Sequence, residues 1–273
     1  MNLVAAGEVG GILDTILTRL AVYLEKADAL RRKVKGAMVY PSTILVVAVA
    51  VIVLLLVKVI PVFQKMFEDF GGTLPGPTQM VVNISEFLQS YILIILGIVA
   101  FVVIAFLQAR KRLPKFAYQS DAVALKIPVF GSLLKKVAVS RFSRTLGTMI
   151  SSGVPILDAL EICAKTAGNR VIEAALMKTR AAISEGRTIA EPLEAAGVFP
   201  GMVVQMIAVG ESTGAMDAML AKIADFYDEE VDAAVDALTA LMEPFMMVFL
   251  GGTIGAILMA MYLPIFKIAE NIK

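Results

Sequence analysis

The sequence predicts an all-α membrane protein with three transmembrane helices, a cytoplasmic helical bundle, and a truncated copy of the same unit at the N-terminus. Hydrophobic residues make up 58% of the 273 residues, against roughly 45–50% in soluble domains. Three long segments lack charged residues, and the region between the second and third has the apolar period of helices, about 3.6 residues. This apolar excess indicates surface that faces lipid.

Composition also excludes several classes of function. The chain has no His, which is the commonest general base and metal ligand. Its single cysteine, Cys163, can form neither an intrachain disulfide nor a Cys-based zinc site. A net charge of +1 lacks the basic excess of nucleic-acid binders, and the sequence has no phosphate-binding Gly-x-x-x-x-Gly-Lys-Ser/Thr loop. We therefore expect no catalytic residue, cofactor, metal or nucleic-acid partner.

Each uncharged segment is long enough to cross a hydrocarbon core, which takes about 20 helical residues. The first is rich in β-branched residues, but its length favours a helix over a strand. The segments extend from Gly36 to Val57, from Phe87 to Ala109 and from Pro244 to Phe266.

Basic residues beside the spans predict the orientation, because short basic flanks stay in the cytoplasm. The segment 64–86 has only Lys65 against three acidic residues, and its Gly71–Pro77 stretch is rich in turn formers. It should therefore lie outside, with the N-terminus inside. The basic flanks are Lys26, Arg31, Arg32, Lys33 and Lys35 before the first span, and Arg110, Lys111, Arg112 and Lys115 after the second.

Glycine and proline divide the region after the second span into helices of an all-α bundle. The last of them continues into the third span, with Pro244 at the membrane boundary. We predict helices over 119–136, interrupted near Pro128, and over 137–151, 156–167, 169–185, 188–196, 200–211 and 215–243.

An internal repeat links the two ends of the chain. Val4–Asp14 matches Ile207–Asp217 at an offset of 203 residues. The same offset pairs Pro41 with Pro244 and Pro61 with Pro264. Prolines recurring at both ends of a hydrophobic span indicate duplication. Since the first copy has almost no bundle before Val4, we expect most of the first cytoplasmic domain to be missing, or another subunit to cover its exposed apolar stripe.

This duplication completes the predicted domain division. Two pieces of the chain are assigned to cytoplasmic helical domains, three to transmembrane helices and two to external segments. The division is 1–35, remnant of the first cytoplasmic domain; 36–63, first transmembrane helix; 64–86, external loop; 87–109, second transmembrane helix; 110–243, second cytoplasmic domain; 244–266, third transmembrane helix; 267–273, external tail.

A glycine–glutamate motif present in both copies supplies the candidate partner-contact or switch residues. A helix boundary is the alternative interpretation, because glycines permit the turn and a carboxylate near a helix N-terminus gains about 0.3–1 kcal/mol. In the third span, glycines permit close helix approach. The candidates are Gly210, Glu211, Gly214 and Asp217 with Gly7, Glu8 and Gly11, and for helix packing in the membrane Gly251, Gly252 and Gly255.

Two charged clusters in the bundle are predicted to be solvated faces. The acidic one could alternatively meet a basic partner surface, and the basic one an acidic partner or lipid headgroups. The clusters are Asp225, Asp228, Glu229, Glu230, Asp232 and Asp236, and Lys135, Lys136, Arg141 and Arg144.

The stretch Arg141–Leu160, RFSRTLGTMISSGVPILDAL, resembles the signature helix pair of the type II secretion F proteins and type IV pilus platform proteins. Val209–Gly214 and Tyr262–Phe266 are similar to other recurring elements of that family. The resemblance implies a non-enzymatic platform of the bacterial inner membrane, with its C-terminus in the periplasm. It further implies coupling of a cytoplasmic assembly ATPase to insertion and extraction of pilins or pseudopilins. Implied partners are that ATPase, those pilins, other platform components, the lipid bilayer and further copies of the chain in a homo-oligomer.

Two competing functions were weighed. A membrane peptidase with aspartyl chemistry would need carboxylates inside the spans, and the sequence places none there. A subunit of an oligomeric transporter or channel would need several copies to build a pathway from uncharged spans. The sequence leaves open whether the platform would serve pilus assembly or protein secretion.

Overall fold

A computed structural model describes residues 13–69 and 75–271 of the chain. Every regular element in these ranges is helical, which confirms the all-α class. The helices are α1 (Leu13–Leu54), a π-helical turn (Leu55–Val59), α2 (Ile60–Asp69), α3 (Gly76–Arg112), α4 (Pro114–Ala124), α5 (Phe130–Ser151), α6 (Ile156–Thr166), α7 (Arg170–Ser184), α8 (Ala190–Ala195), α9 (Gly201–Thr213) and α10 (Met216–Asn271).

The chain divides into two compact units. A bundle unit comprises Ala109–Leu238 with the described residues up to Lys35, and a second unit comprises Gly36–Gln108 with the chain from Thr239 onward. Three helical stretches are long and apolar enough to cross a membrane: Met38–Phe67, Gly76–Arg112 and Met216–Pro264. The predicted number of spans is therefore confirmed.

The second unit leaves large apolar side chains uncovered. Leu93 and Phe101 of α3 are 81% and 72% exposed, and Val248 of α10 is 76% exposed. A smaller set of side chains forms its core, namely Leu56, Ile60, Val82, Ile257 and Met261. Burying an apolar side chain stabilises by roughly 1.5–3 kcal/mol, so lipid contact is the physical explanation for so many exposed ones.

Two buried hydroxyls of α3 find backbone acceptors in this unit. Thr78 Oγ1 donates to the carbonyl of Ala260 at 2.5 Å, and Ser85 Oγ donates to the carbonyl of Leu56 in the π-helical turn. Both hydroxyls are thereby hydrogen-bonded although they are buried away from water.

The interspan segment 64–86 is more helical than predicted. α2 extends to Asp69 and α3 already begins at Gly76, so both predicted span boundaries lie inside helices. The reason is that Val81, Val82 and Leu88 carry an apolar stripe which packs on the core of the second unit.

The core of the bundle is built from apolar positions of α5 to α9 and the first part of α10. Leu146, Leu160, Leu176, Ile207 and Leu220 are completely buried. α6 packs on α7, and α8 packs on both α7 and α9. Most predicted helix bounds in this region are confirmed to within two residues, and the last helix does continue past Pro244.

The predicted interruption near Pro128 is confirmed, but the predicted boundary between residues 136 and 137 is wrong. The chain breaks between Ala124 and Phe130, and α5 then continues without interruption to Ser151. Pro128 disfavours helical geometry at the residue before it, and a Cβ at Gly131 would collide with the carbonyl of Leu125. The turn therefore sits at Pro128, and the residues around 137 contain no helix breaker.

Candidate functional site

Glu211 joins two helices of the bundle. Its Oε1 and Oε2 accept the backbone N–H of Ile189, at 2.9 and 3.0 Å. Ile189 is the residue immediately before α8. The carboxylate therefore caps the beginning of α8 from the side of α9, which supports the alternative interpretation of this residue as part of a helix boundary.

The neighbouring glycines have steric roles. A Cβ at Gly210 would lie 3.1 Å from Cα of Met216 and 3.2 Å from Cβ of Met219. Gly214 follows α9 with a left-handed φ of +72°, a conformation that costs other residues roughly 1–2 kcal/mol. Together they let α9 turn tightly into α10. Gly7, Glu8 and Gly11 lie outside the described residues.

Asp217 lies in the first turn of α10. It lines a crevice of about 270 Å³ between α10 and α5. The crevice is also lined by residues of the signature stretch: Ser143, Arg144, Gly147, Thr148 and Ser151. The structure thus brings Asp217 together with the signature helix, whereas Glu211 points to α8.

Charged side chains bridge α5 and α10. Arg144 donates to Oδ1 of Asp225 at 2.9 Å and to Oδ2 of Asp228. Ser140 Oγ donates to the other carboxylate oxygen of Asp228. We call Ser140, Arg144, Asp225 and Asp228 the clasp. Because only 15% of the Arg144 side chain is exposed, water screens the clasp less than an ordinary surface pair.

Further pairs extend this bridging along α10. Lys136 of α5 lies 2.7 Å from Glu230, and Lys33 of α1 lies 2.6 Å from Asp232. Lys136 and Arg144 of the basic cluster therefore pair with Glu230, Asp225 and Asp228 of the acidic cluster. The acidic side chains keep part of their solvent exposure, 63% for Asp225, so the predicted solvated faces also meet each other. Sequence analysis missed this pairing because the partners lie more than 80 residues apart.

A buried carboxylate that sequence analysis did not single out ties three helices together. Asp121 of α4 accepts Arg110, from the end of α3, at 2.7 Å. Its other oxygen accepts the backbone N–H of Arg170, at the start of α7, at 2.8 Å. The available sequence signal was an acidic residue on an otherwise apolar helical face.

The three glycines of the third span lie on α10. A Cβ at Gly251, Gly252 or Gly255 would meet nothing within 4 Å in the described part of the chain. Their role in helix association within the membrane stays a prediction.

Comparisons with known proteins agree with this organisation. The family described as "Type II secretion system (T2SS), protein F" matches residues 1–61 and 142–264. The two matched segments end at Pro61 and Pro264, separated by the 203-residue offset of the internal repeat.

Several curated proteins are similar over nearly the whole chain. The "Type IV pilus assembly protein PilC" of Myxococcus xanthus is 59% identical, over 100% of this chain and 65% of its own length. The protein of the same name from Pseudomonas aeruginosa is 45% identical, over 98% of this chain and 72% of its own length. The "Type II secretion system protein F" of P. aeruginosa is 34% identical, over 98% of this chain and 66% of its own length.

The chain thus spans about two thirds of the length of these relatives. The match to the family covers the signature stretch from residue 142 onward, the three charged residues of the clasp, Glu211 and both prolines of the third span. With its three membrane-capable helices and its repeat, the chain belongs to the type II secretion system protein F family.

Proposed function

We propose that this chain is part of an inner-membrane platform that serves a type IV pilus or a type II secretion machine. It couples a cytoplasmic assembly ATPase to the insertion and extraction of pilin or pseudopilin subunits. The names of its relatives, which refer to pilus assembly and to type II secretion, support this role. Its other proposed partners are further platform components and further copies of the chain.

The observation that carries the proposal is the length of α10. This helix extends for 56 residues, from Met216 to Asn271. Its first turns place Leu220 and Ile223 in the bundle core, and its later turns expose Val248 in the apolar region. A continuous helix is stiff along its axis, because its backbone hydrogen bonds lie along that axis. Pro244 and Pro264 each remove one bond from this ladder, and the helix continues past both. A displacement applied to the bundle end would therefore reach the apolar end.

Two insertions after Leu238 test whether α10 has to be continuous. Four alanines add about one helical turn and keep the helix intact. Gly-Pro-Gly-Gly has the same length and interrupts the helix, since proline costs about 3 kcal/mol inside one. In the organism's own strain, we expect the alanine insertion to preserve surface pili or secretion and the proline insertion to abolish it. Equal activity of the two would contradict the proposal.

The proposed orientation places the N-terminal segment and 110–243 in the cytoplasm, and 64–86 and the tail in the periplasm. Exposed positions suitable for labelling are Gly76 and Ser184. With a membrane-impermeant maleimide on spheroplasts, Gly76→Cys should react at once and Ser184→Cys only after lysis. The reverse order would overturn the orientation.

Binding to the ATPase is the remaining part of the proposal. The full chain in lipid nanodiscs should retain the ATPase encoded beside it, and should not retain the ATPase of an unrelated transport system. No retention of the cognate ATPase would count against a platform that receives force from it directly.

A further inference from the structure

We infer that the crevice between α5 and α10 is a binding site for an arginine side chain of a partner protein. The inference rests on the proposed function only in assuming that the bundle meets a partner. The site is defined by Ser143, Thr148 and Asp217, together with the small side chains Gly147, Ala218 and Ala221.

The first observation is an unsatisfied hydroxyl. Ser143 is completely buried, and its Oγ makes no hydrogen bond to any described residue. The hydroxyls of Thr145 and Thr148, on the same helix, each donate to the carbonyl four residues earlier, at 2.7 and 2.8 Å. A buried polar group without a partner costs free energy. Ser143 therefore lines the crevice with a hydrogen-bonding capacity that no described residue uses.

The second observation is the excess of acceptors. The Asp217 carboxylate forms no ion pair within residues 13–69 and 75–271. Thr148 has already used its hydroxyl hydrogen on Arg144 O, so only its lone pairs face a ligand. Asp217 and Thr148 thus present oxygens that accept hydrogen bonds from an occupant, and the hydroxyl oxygen of Ser143 can accept one as well.

The local charge favours a cation. Arg144 is the basic residue that lines the crevice, and it is held by Asp225 and Asp228. The charged residues that line the crevice are thus Arg144, whose charge is engaged by Asp225 and Asp228, and Asp217, which has no ion pair within the described residues. A positively charged occupant would be attracted to the unpaired Asp217.

Shape selects arginine among the cations. A guanidinium offers five donors in a planar fork and can reach several acceptors at once, whereas an ammonium offers three on a compact centre. The volume of about 270 Å³ accommodates one long side chain. A Cβ at Gly147 would lie 3.2 Å from Cβ of Leu220, so this glycine lets α5 and α10 approach closely and form the floor of the crevice. The small Ala218 beside it leaves room for the stem of the arginine to lie along the crevice.

Peptide binding tests the inference on the full chain in nanodiscs. The probes are a helical Ala/Gln peptide with one arginine, the same peptide with lysine, and the same peptide with citrulline, which is neutral and nearly identical in shape. Ligand-observed NMR should show affinity in the order arginine, lysine, citrulline. Equal affinity for arginine and citrulline, or a preference for lysine, would overturn it.

Variants distinguish the crevice from general attraction to acidic residues. Asp217→Asn should lower affinity for the arginine peptide about tenfold, and Asp236→Asn, which removes the same charge elsewhere on α10, should leave it nearly unchanged. Ala218→Met should block the crevice without changing its charge. Equal losses in the two Asp variants would contradict the inference.

Ser143→Ala supplies a readout that a purely structural role would not show. Removing an unsatisfied hydroxyl should raise the melting temperature of the protein while weakening arginine binding. A lower melting temperature would instead show that Ser143 is satisfied within the fold. The peptide assay contains no ATPase, so a negative result would contradict the arginine site and leave the proposed platform function untouched. Conversely, failure to bind the ATPase with peptide affinity retained would contradict the proposed function and leave the arginine site untouched.

Discussion

Glu211 accepts the backbone N–H of Ile189 with both of its carboxylate oxygens, which lie within 3.0 Å of the amide nitrogen. The residue pair lies at the start of α8, a helix of only six residues. So short a helix is not stable by itself in water. Its position on the bundle therefore depends on this cap and on the burial of Leu193.

Replacing Glu211 should destabilise the bundle. Glu211→Ala removes the charged acceptor of a backbone N–H, and we expect the free energy of unfolding to fall by about 1–2 kcal/mol. Glu211→Gln keeps one acceptor oxygen and should lose less. Thermal unfolding of the full chain in detergent, followed by circular dichroism, measures both. Glu194→Ala, an exposed glutamate of α8, is the control and should stay within about 0.5 kcal/mol of the parent. A loss in Glu211→Ala no larger than the control would contradict the capping role.

Arg144 should stabilise the packing of α5 on α10. Arg144→Ala leaves the carboxylate of Asp228 without its cation. We expect the free energy of unfolding to fall by about 1–3 kcal/mol, a value between those of exposed and buried ion pairs. The double variant with Asp228→Asn should lose less than the sum of the two single variants. Lys165→Ala breaks an exposed pair with Glu161 of similar length, 2.7 Å, and should cost about 0–0.5 kcal/mol. Additive losses would mean that Arg144 and Asp228 act independently.

Gly210 should be intolerant of any side chain. Gly210→Ala forces a methyl group against the Cα of Met216, and overpacking of this kind costs about 1–3 kcal/mol. Gly201→Ala adds the same methyl group to the same helix, where nothing lies within 4 Å in the described chain. That variant should be neutral or slightly stabilising. Comparing the two melting temperatures checks the prediction, and equal values would show that α9 and α10 separate easily.

Cys163 should report opening of the bundle. Burial raises the pKa of its thiol to about 12, and only the thiolate reacts with maleimides or disulfide reagents. At pH 8 the folded protein should react slowly, and the rate should rise sharply near the melting temperature. Rapid labelling of the folded protein would show that α6 is not packed as described.

The same pKa shift predicts a pH dependence of stability. The thiol has a higher pKa folded than unfolded, where it is near 9.0, so ionisation at high pH favours the unfolded chain. This contribution is fully present below pH 9 and is lost as the pH rises toward 12. Cys163→Ala should remove that part of the alkaline destabilisation, which melting curves at pH 8, 9 and 10 can detect. An unchanged pH profile would contradict it.

Local sequence patterns predicted most of the fold. The uncharged segments predicted the three membrane-capable helices, and turn residues such as Gly153, Gly168 and Gly214 predicted the helix ends of the bundle. The break near Pro128 was predicted, whereas the predicted helix boundary between residues 136 and 137 was wrong. The reason is that a proline marks a break without indicating how many residues the turn will take, and here Gly131 allows the chain to re-enter a helix at once.

The same distinction, between patterns along the chain and contacts between distant residues, applies to the candidate site. Sequence alone determined that this is an apolar, helical, internally repeated chain without histidine, because composition, periodicity and repetition are visible along the chain without any knowledge of which residues meet in space. Only the tertiary structure decided that Arg144 meets Asp225 and Asp228, that Glu211 caps α8, and that Ser143 lies unsatisfied beside Asp217. These contacts join residues 22 to 84 positions apart, and helical periodicity shows which face a residue occupies without showing which distant helix packs against that face.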